Sequence, residues 1–478
     1  MSSKGGVARN RRRSNRRRGS SSAGCLGGLA LLVFTLAASA EPPSRFGVDA
    51  PELAHLGAYA VGVRSLELTQ KAQPDVLAFD AAQGRAPLRD RVLKIELWYP
   101  ARAPADAQPV TYTGSLPSPP PDPPATFEIA GLAVRDAPVA GRNFPLLIVS
   151  HGYSNDPIAL SWLTENLASK GYVVAAIRHE DPFIGDASKF AGPVLRRPLD
   201  IAFVARALPA MLAREHLVDP ERIALFGYSM GGYGVLTCAG ASLDPQAPPN
   251  QLMPGKLLAP YVRGGALEVT LHVAHLRAVI AISPAGGGAA FAAWGADGLA
   301  SISAPLLLIA GDRDHTVDYQ SGARAFFDQA VHAHRYLLTF KGAGHDIGFD
   351  PAPESMRARL WDFDWFTDPV WRTERVNAIN AHFITAFLDR YLKGDESRAS
   401  YLEVPAPQSS SGEWPASTPP TAFDAYSPGA PVDTVWKGFQ RHHAEGLELL
   451  EAPPAPAAAA ADSVTPTIRK KSADSAAL

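Results

Sequence analysis

Ser229 sits at the centre of Gly227-Tyr228-Ser229-Met230-Gly231-Gly232, between an apolar run, Arg222 to Phe226, and a small-residue helical pattern, Tyr233 to Ala239. A serine turned sharply between a strand and a helix is presented above a parallel sheet as a nucleophile. Gly227 and Gly231 flank it two residues away on each side, where side chains would crowd so tight a turn. Gly-x-Ser-x-Gly also arises by chance in a chain rich in glycine and serine, so the motif needs context. Cleaving an ester or amide with serine requires a base to take its proton, an acid to orient that base, and donors for the oxyanion. In a strand–turn–helix site of this kind the chain order is serine, acid, histidine.

The rest of the chain supplies that order. Leu306-Leu307-Leu308-Ile309-Ala310 runs into Gly311-Asp312-Arg313-Asp314-His315-Thr316-Val317, and the acid belongs just past the end of such a strand. Asp314 is the choice; Asp312 competes with it, and the bland alternative is that Asp314 caps a turn. Leu337 to Phe340 then leads to Lys341-Gly342-Ala343-Gly344-His345-Asp346. A histidine in a glycine-rich loop after the last strand can reach over the sheet edge toward Ser229, so His345 is the base. His315 is misplaced for that role, being adjacent to the acid and before the final strand. Of the two oxyanion donors, one is the backbone N–H of Met230, at a helix N-terminus where unpaired amides favour negative charge. The second comes from the loop after an earlier strand, Ser150-His151-Gly152-Tyr153, with Tyr153 as donor and Gly152 allowing close approach. His151 is then a structural hydrogen-bonding residue. With His345 as base, activity should fall below about pH 6–6.5, because a free histidine titrates near 6.5.

Other residues read more plainly. His272/His275, His332/His334 and His442/His443 could be drawn as metal pairs, but no Cys/His/Asp cluster at ligand spacing accompanies them, and zinc is not expected. Trp361, Phe363, Trp365, Phe366 and Trp371 follow the histidine loop closely; they line an acyl pocket or serve as core. Cys238, nine positions after the serine, packs within its helix.

These residues need a sheet to position them. Tyr59 to Leu68 and Val92 to Tyr99 are rich in β-formers and read as early antiparallel strands, followed by a proline-rich loop from Ala101 to Pro124. Strand–helix repetition begins next: Phe144 to Val149, a helix over Ile158 to Lys170, and Tyr172 to Ile177. A helix over Pro198 to His216, with its proline in the first turn, follows. Beyond the serine come Ala278 to Ile282, Pro305 to Ile309, Tyr336 to Phe340 and a final helix, Arg375 to Leu392. Near-continuously apolar strands alternating with helices predict a mostly parallel central sheet covered on both faces, an α/β fold. Asp244 to Leu276 and Pro351 to Trp371 interrupt the rhythm and are candidate lids or pocket walls. The expected organisation is a signal peptide over 1–40, a hydrolase domain over 41–400, a Pro/Ser-rich extended segment over 401–433, a segment packing back over 434–451, and a disordered tail over 452–478.

Among the 478 residues, 46% are hydrophobic and 19% charged, enough for a sizeable core. The formal net charge of −2 conceals an asymmetry: Lys4 and seven arginines from Arg9 to Arg18 precede the apolar run Leu26 to Leu36 and Ala38-Ser39-Ala40. That is the order of a secretory signal, cleaved before Glu41. Losing those eight charges takes −2 to −10, so the arginines speak of export, not of nucleic acid. The apolar run is short for a bilayer span of ~20 residues; an uncleaved anchor, the only membrane contact envisaged, is the alternative. After cleavage Cys238 alone would remain, so no intrachain disulfide is expected.

The chain resembles the α/β-hydrolase superfamily, most closely bacterial dienelactone-hydrolase-like proteins and the platelet-activating-factor acetylhydrolase family. The resemblance rests on Ser150-His151-Gly152, on Leu167 through Asp181 and on Arg197-Pro198-Leu199-Asp200. Gly227 to Gly232 and Gly344-His345 complete it, and it covers roughly 92–392. It implies Ser229 as nucleophile, Asp314 as acid, His345 as base, and carboxylic ester hydrolysis without a cofactor on a small-molecule or lipid-like substrate. Dienelactone hydrolases use cysteine where this chain has Ser229, so that name does not carry over as an activity. Competing readings are a serine peptidase or amidase, and a catalytically silent hydrolase-fold envelope protein.

Overall fold

In a computed structural model that describes residues 46–104, 106–413, 434–440 and 442–456, the apolar runs assemble into one ten-stranded sheet. The expected signal peptide, residues 414–433 of the Pro/Ser-rich segment and the tail beyond 456 lie outside the described residues. The strands are β1 (Ala60–Pro74), β2 (Leu88–Ala101), β3 (Thr111–Leu116), β4 (Ala125–Ala130), β5 (Val134–Arg135), β6 (Phe144–Ser150) and β7 (Val173–Arg178). They continue with β8 (Val218–Tyr228), β9 (Leu276–Ile282), β10 (Leu306–Gly311), β11 (Arg335–Phe340) and β12 (Leu447–Ala452). The helices are α1 (Ser161–Ser169), α2 (Ala191–Leu212), α3 (Met230–Cys238), α4 (Pro248–Gln251), α5 (Ala325–Gln329), α6 (Leu360–Phe363) and α7 (Thr373–Lys393).

The sheet order is β12-β11-β10-β9-β8-β6-β7-β2-β1-β5. From β11 to β7 neighbouring strands are parallel, while β12, β2 and β1 pair antiparallel at the two sides. β6, β10 and the Ile223–Tyr228 half of β8 are buried on both faces, which explains why these runs carry almost no polar residue. Along β8, Ala224, Phe226 and Tyr228 enter the core beneath α1 and α7, whereas Ile223 and Leu225 enter the core beneath α2 and α3. The last described stretch returns as β12 on β11, with Trp436 and Phe439 packed around Phe383.

Three expectations are corrected. The stretch Ala101 to Pro124 is not all loop: Tyr112, Gly114 and Leu116 alternate with exposed residues in β3, which pairs with β4 in a separate two-stranded sheet. The helix expected from Pro198 starts at Ala191, so Pro198 lies inside it. A mid-helix proline leaves the carbonyl four residues earlier without its usual donor; here the Tyr233 hydroxyl of α3 donates to the Val194 carbonyl at 3.1 Å. Finally, Asp244 to Leu276 does not wall the site. It follows α3, which runs back from the serine edge, so it emerges at the opposite end of the sheet and buries Met253, Leu258, Val262 and Leu271 in the α2/α3 core.

Candidate active site

Parallel strands put their following loops at one edge, the C-terminal edge where ligands bind in α/β sheets. Ser150 of β6 pairs with Gly227 of β8, Tyr228 with Ile282 of β9, and Gly311 of β10 with Phe340 of β11. The loops after β6, β8, β10 and β11 therefore leave side by side.

Ser229 occupies the turn from β8 into α3 with φ 52° and ψ −116°. Such a conformation costs a non-glycine residue about 1–3 kcal/mol, and it is held by three bonds. The Ser229 N–H donates to the Ile282 carbonyl at 2.9 Å, and its carbonyl accepts from Ala285 N–H at 2.9 Å and Tyr233 N–H at 3.2 Å. The two flanking glycines are required by close backbone approach. A Cβ on Gly227 would lie 2.3 Å from the Gly231 carbonyl oxygen, and one on Gly231 would lie 2.0 Å from the Ser150 carbonyl oxygen.

The structure brings together the three side chains singled out from the sequence. His345 Nε2 lies 3.1 Å from Ser229 Oγ, and His345 Nδ1 lies 2.7 Å from Asp314 Oδ2. The other Asp314 oxygen accepts from Thr316 N–H at 2.9 Å and Val317 N–H at 3.2 Å. An acceptor-only carboxylate at Nδ1 requires the proton there, leaving Nε2 free to accept from Ser229. Burial of Asp314 favours its neutral form, but the hydrogen bond and charge of His345 and the two amides outweigh it and hold its pKa below the usual value. Burial likewise opposes the His345 cation, yet the bond and charge of Asp314 win and raise its pKa above 6.5. Asp312 serves elsewhere, accepting from Gly342 N–H at 2.7 Å.

The backbone carbonyl of His345 accepts from Tyr228 Oη at 2.9 Å and Ser283 Oγ at 3.1 Å, which fixes the ring's stem. Tyr228 also reaches Asp346 Oδ1 at 3.2 Å, and burial pushes the Asp346 carboxyl up to about 6. Beside Ser229 lies a cleft of about 230 Å³, lined among others by Gly152, Tyr153, Tyr228, Asp346, Trp361 and Trp365. Among the described residues neither Met230 N–H nor Tyr153 N–H donates to another protein group. The aromatic cluster divides. Trp361 and Trp365 line the cleft, and Trp361 packs on Phe183 with ring centres 5.8 Å apart. Phe366 packs on Phe127 and Phe349, and Trp371 packs on Phe340.

His151 donates from Nδ1 to the Gly152 carbonyl at 2.7 Å and accepts the His179 N–H at Nε2, 3.0 Å. Burial and the neighbouring Arg197 charge keep it neutral. Behind it lies a network that composition and spacing gave no reason to join. Asp200 accepts two bonds from Arg91 and faces His179 Nδ1 at 3.0 Å, and His179 Nε2 meets Ser150 Oγ at 2.9 Å. The histidine pairs resolve as ordinary contacts: His275 with Glu221, His334 with Glu451, His442 with Glu445. Cys238 donates to the Pro198 carbonyl at 3.3 Å, and burial pushes its thiol pKa up.

Comparison with known proteins bears on this geometry. A PET hydrolase-like family model matches residues 136–251, which include the Ser150–Tyr153 loop and Ser229. The ten-stranded sheet and this partial match together give the chain an α/β-hydrolase fold. Cutinase est2 of Thermobifida alba is 30% identical over 110 residues, 23% of this chain and 35% of that protein. Cutinase 2 of Thermobifida cellulosilytica is 29% identical over 110 residues, 23% of this chain and 40% of that protein. S-formylglutathione hydrolase of Rattus norvegicus is 47% identical over 38 residues, 8% of this chain and 14% of the rat protein. The chain thus spans about a third of the length of the cutinases it matches.

Proposed function

We propose that this α/β hydrolase is an exported serine esterase that cleaves carboxylic esters through an acyl-enzyme. The observation that carries the reading is the unbroken line from Ser229 Oγ through His345 to Asp314, 3.1 Å and 2.7 Å, opening on a cleft. Ser229 Oγ attacks the ester carbonyl as His345 Nε2 takes its proton, and the Asp314 carboxylate stabilises the imidazolium. The oxyanion accepts from the Met230 and Tyr153 amides, both without an acceptor among the described residues. Collapse expels the alkoxide, which takes the proton from His345; water, activated by the same histidine, then releases the acid and restores Ser229.

Relatives named as cutinases and hydrolases support a hydrolytic reaction. Export rests on the arginine-rich, apolar and small-residue order of residues 1–40; no helix among the described residues is long and apolar enough to cross a membrane. The test is a series of p-nitrophenyl esters of graded acyl length beside matched anilides. Turnover of short esters that Ser229→Ala abolishes is expected, whereas faster cleavage of the anilides would assign the site to amides.

A further inference from the structure

The esterase reading gives no role to a cation buried against the Ser150–Tyr153 loop. Arg197, on α2, is fully buried. Its Nη1 donates to the His151 carbonyl at 2.5 Å, and its Nη2 donates to the Gly152 carbonyl at 2.9 Å. Nη1 also reaches Ser150 Oγ at 3.3 Å. Asp181, on the loop after β7, pairs with Nη2 and accepts the Ser154 N–H at 3.1 Å. Tyr153 is therefore bracketed: the peptide groups before and after it are both tied to the Arg197–Asp181 pair.

The peptide plane converts this bracket into an aim. In a trans peptide the carbonyl and the following N–H point in opposite directions. Holding the Gly152 oxygen toward α2, by Arg197 and by His151 Nδ1 at 2.7 Å, turns the Tyr153 N–H the other way. That is the side on which Gly152 and Tyr153 line the cleft with Ser229. We propose that Arg197 is a positioning residue, whose guanidinium clamps the His151 and Gly152 carbonyls so that the Tyr153 N–H is preset to receive the oxyanion. This rests on the esterase reading, and it assigns Arg197 no contact with substrate.

The choice of side chain fits the task. Two carbonyls and one carboxylate are met by a rigid planar fork; an ammonium on a flexible stem does not reproduce that pattern. A buried ion pair is a weak way to gain stability, since apolar side chains of the same volume would do as well or better. Its value here lies in direction: one donor per carbonyl fixes the rotation of the 152–153 peptide, which packing alone leaves softer. The second network fixes the same loop from the other side, through His179 N–H on His151 Nε2 and Ser150 Oγ on His179 Nε2.

Two variants test the clamp. Arg197→Lys keeps a cation beside Asp181 without the fork, and Arg197→Met combined with Asp181→Asn removes both charges. Each is measured for kcat and KM on p-nitrophenyl butyrate, for the inhibition constant of a trifluoromethyl ketone that forms a tetrahedral oxyanion, and for thermal unfolding. A misaligned oxyanion donor predicts kcat lower by about 10–100-fold, KM within about twofold, ketone affinity weakened in step with kcat, and an unmoved acid limb in the pH profile. A folded variant that keeps kcat, or that loses kcat while keeping ketone affinity, overturns the proposal. Loss of the fold in both variants overturns it too, since Arg197 would then be a requirement of the fold. Failure of the esterase reading is separable: the wild-type protein would be inert toward esters before any Arg197 variant is made.

Discussion

Asp314→Asn isolates the electrostatic heart of the site while conserving its shape. One Asp314 oxygen accepts from two amides, Thr316 and Val317, and the other faces His345 Nδ1 at 2.7 Å. An asparagine can satisfy only one side with its oxygen. Two backbone donors outweigh one ring donor, so the amide oxygen keeps the Thr316/Val317 side and the NH₂ turns to His345. That NH₂ can bond only to an unprotonated Nδ1, which forces the ring proton onto Nε2, facing Ser229. In that tautomer the imidazole cannot take the serine's proton. Loss of the correct tautomer costs about 10⁴-fold in kcat, or about 5.5 kcal/mol, with KM little changed because no cleft wall moves. The pH profile should shift as well. In the wild type burial disfavours the imidazolium but Asp314 outweighs it, so the acid limb lies above 6.5 and activity is lost as pH falls through that point. The sequence alone, taking a free histidine, placed the loss at about pH 6–6.5; the carboxylate moves it up. Removing that charge leaves burial dominant, so the residual activity of Asp314→Asn should persist to lower pH. The assay is pH-stat hydrolysis of a short ester from pH 5 to 9. A folded variant retaining more than about a tenth of wild-type kcat, or an acid limb that does not move down, would refute this reasoning.

Further outcomes follow from particular contacts. Asp346→Asn removes a charge that helps raise the His345 pKa, so its acid limb should move down, by less than in Asp314→Asn; an upward shift in the pH–rate profile contradicts this. Gly231→Ala places a Cβ 2.0 Å from the Ser150 carbonyl oxygen, beyond ordinary overpacking, and should destabilise by ~3 kcal/mol or more, read as a fall in the denaturant midpoint. Trp365→Ala or Trp361→Ala strips an aromatic wall from the cleft; at about 1 kcal/mol per ring contact, KM for a butyrate ester should rise several-fold while kcat holds. Unchanged KM in both would remove these rings from the substrate-binding surface.

The sequence was legible where one local rule decided the outcome. Continuously apolar runs marked β6 to β11 because both faces of those strands are covered. Ser229, Asp314 and His345 were visible because each follows such a run at the same sheet edge. Less was legible where distant partners decide. Pro198 reads as a helix start until Tyr233 is seen to supply the bond that proline leaves unmade. Asp244 to Leu276 reads as a lid until the direction of α3 places it at the far end of the sheet. The Arg197–Asp181 and Arg91–Asp200 pairs span 16 and 109 residues of chain, and no periodicity announces them.

If Ser229 is the nucleophile, it becomes acylated during turnover. The direct measurement is rapid quenching of the protein with p-nitrophenyl acetate, followed by peptide mass spectrometry. One acetyl group is expected on the peptide containing Ser229, formed with a burst of p-nitrophenol and absent from Ser229→Ala. An adduct on another residue, or full turnover by folded Ser229→Ala, would contradict it.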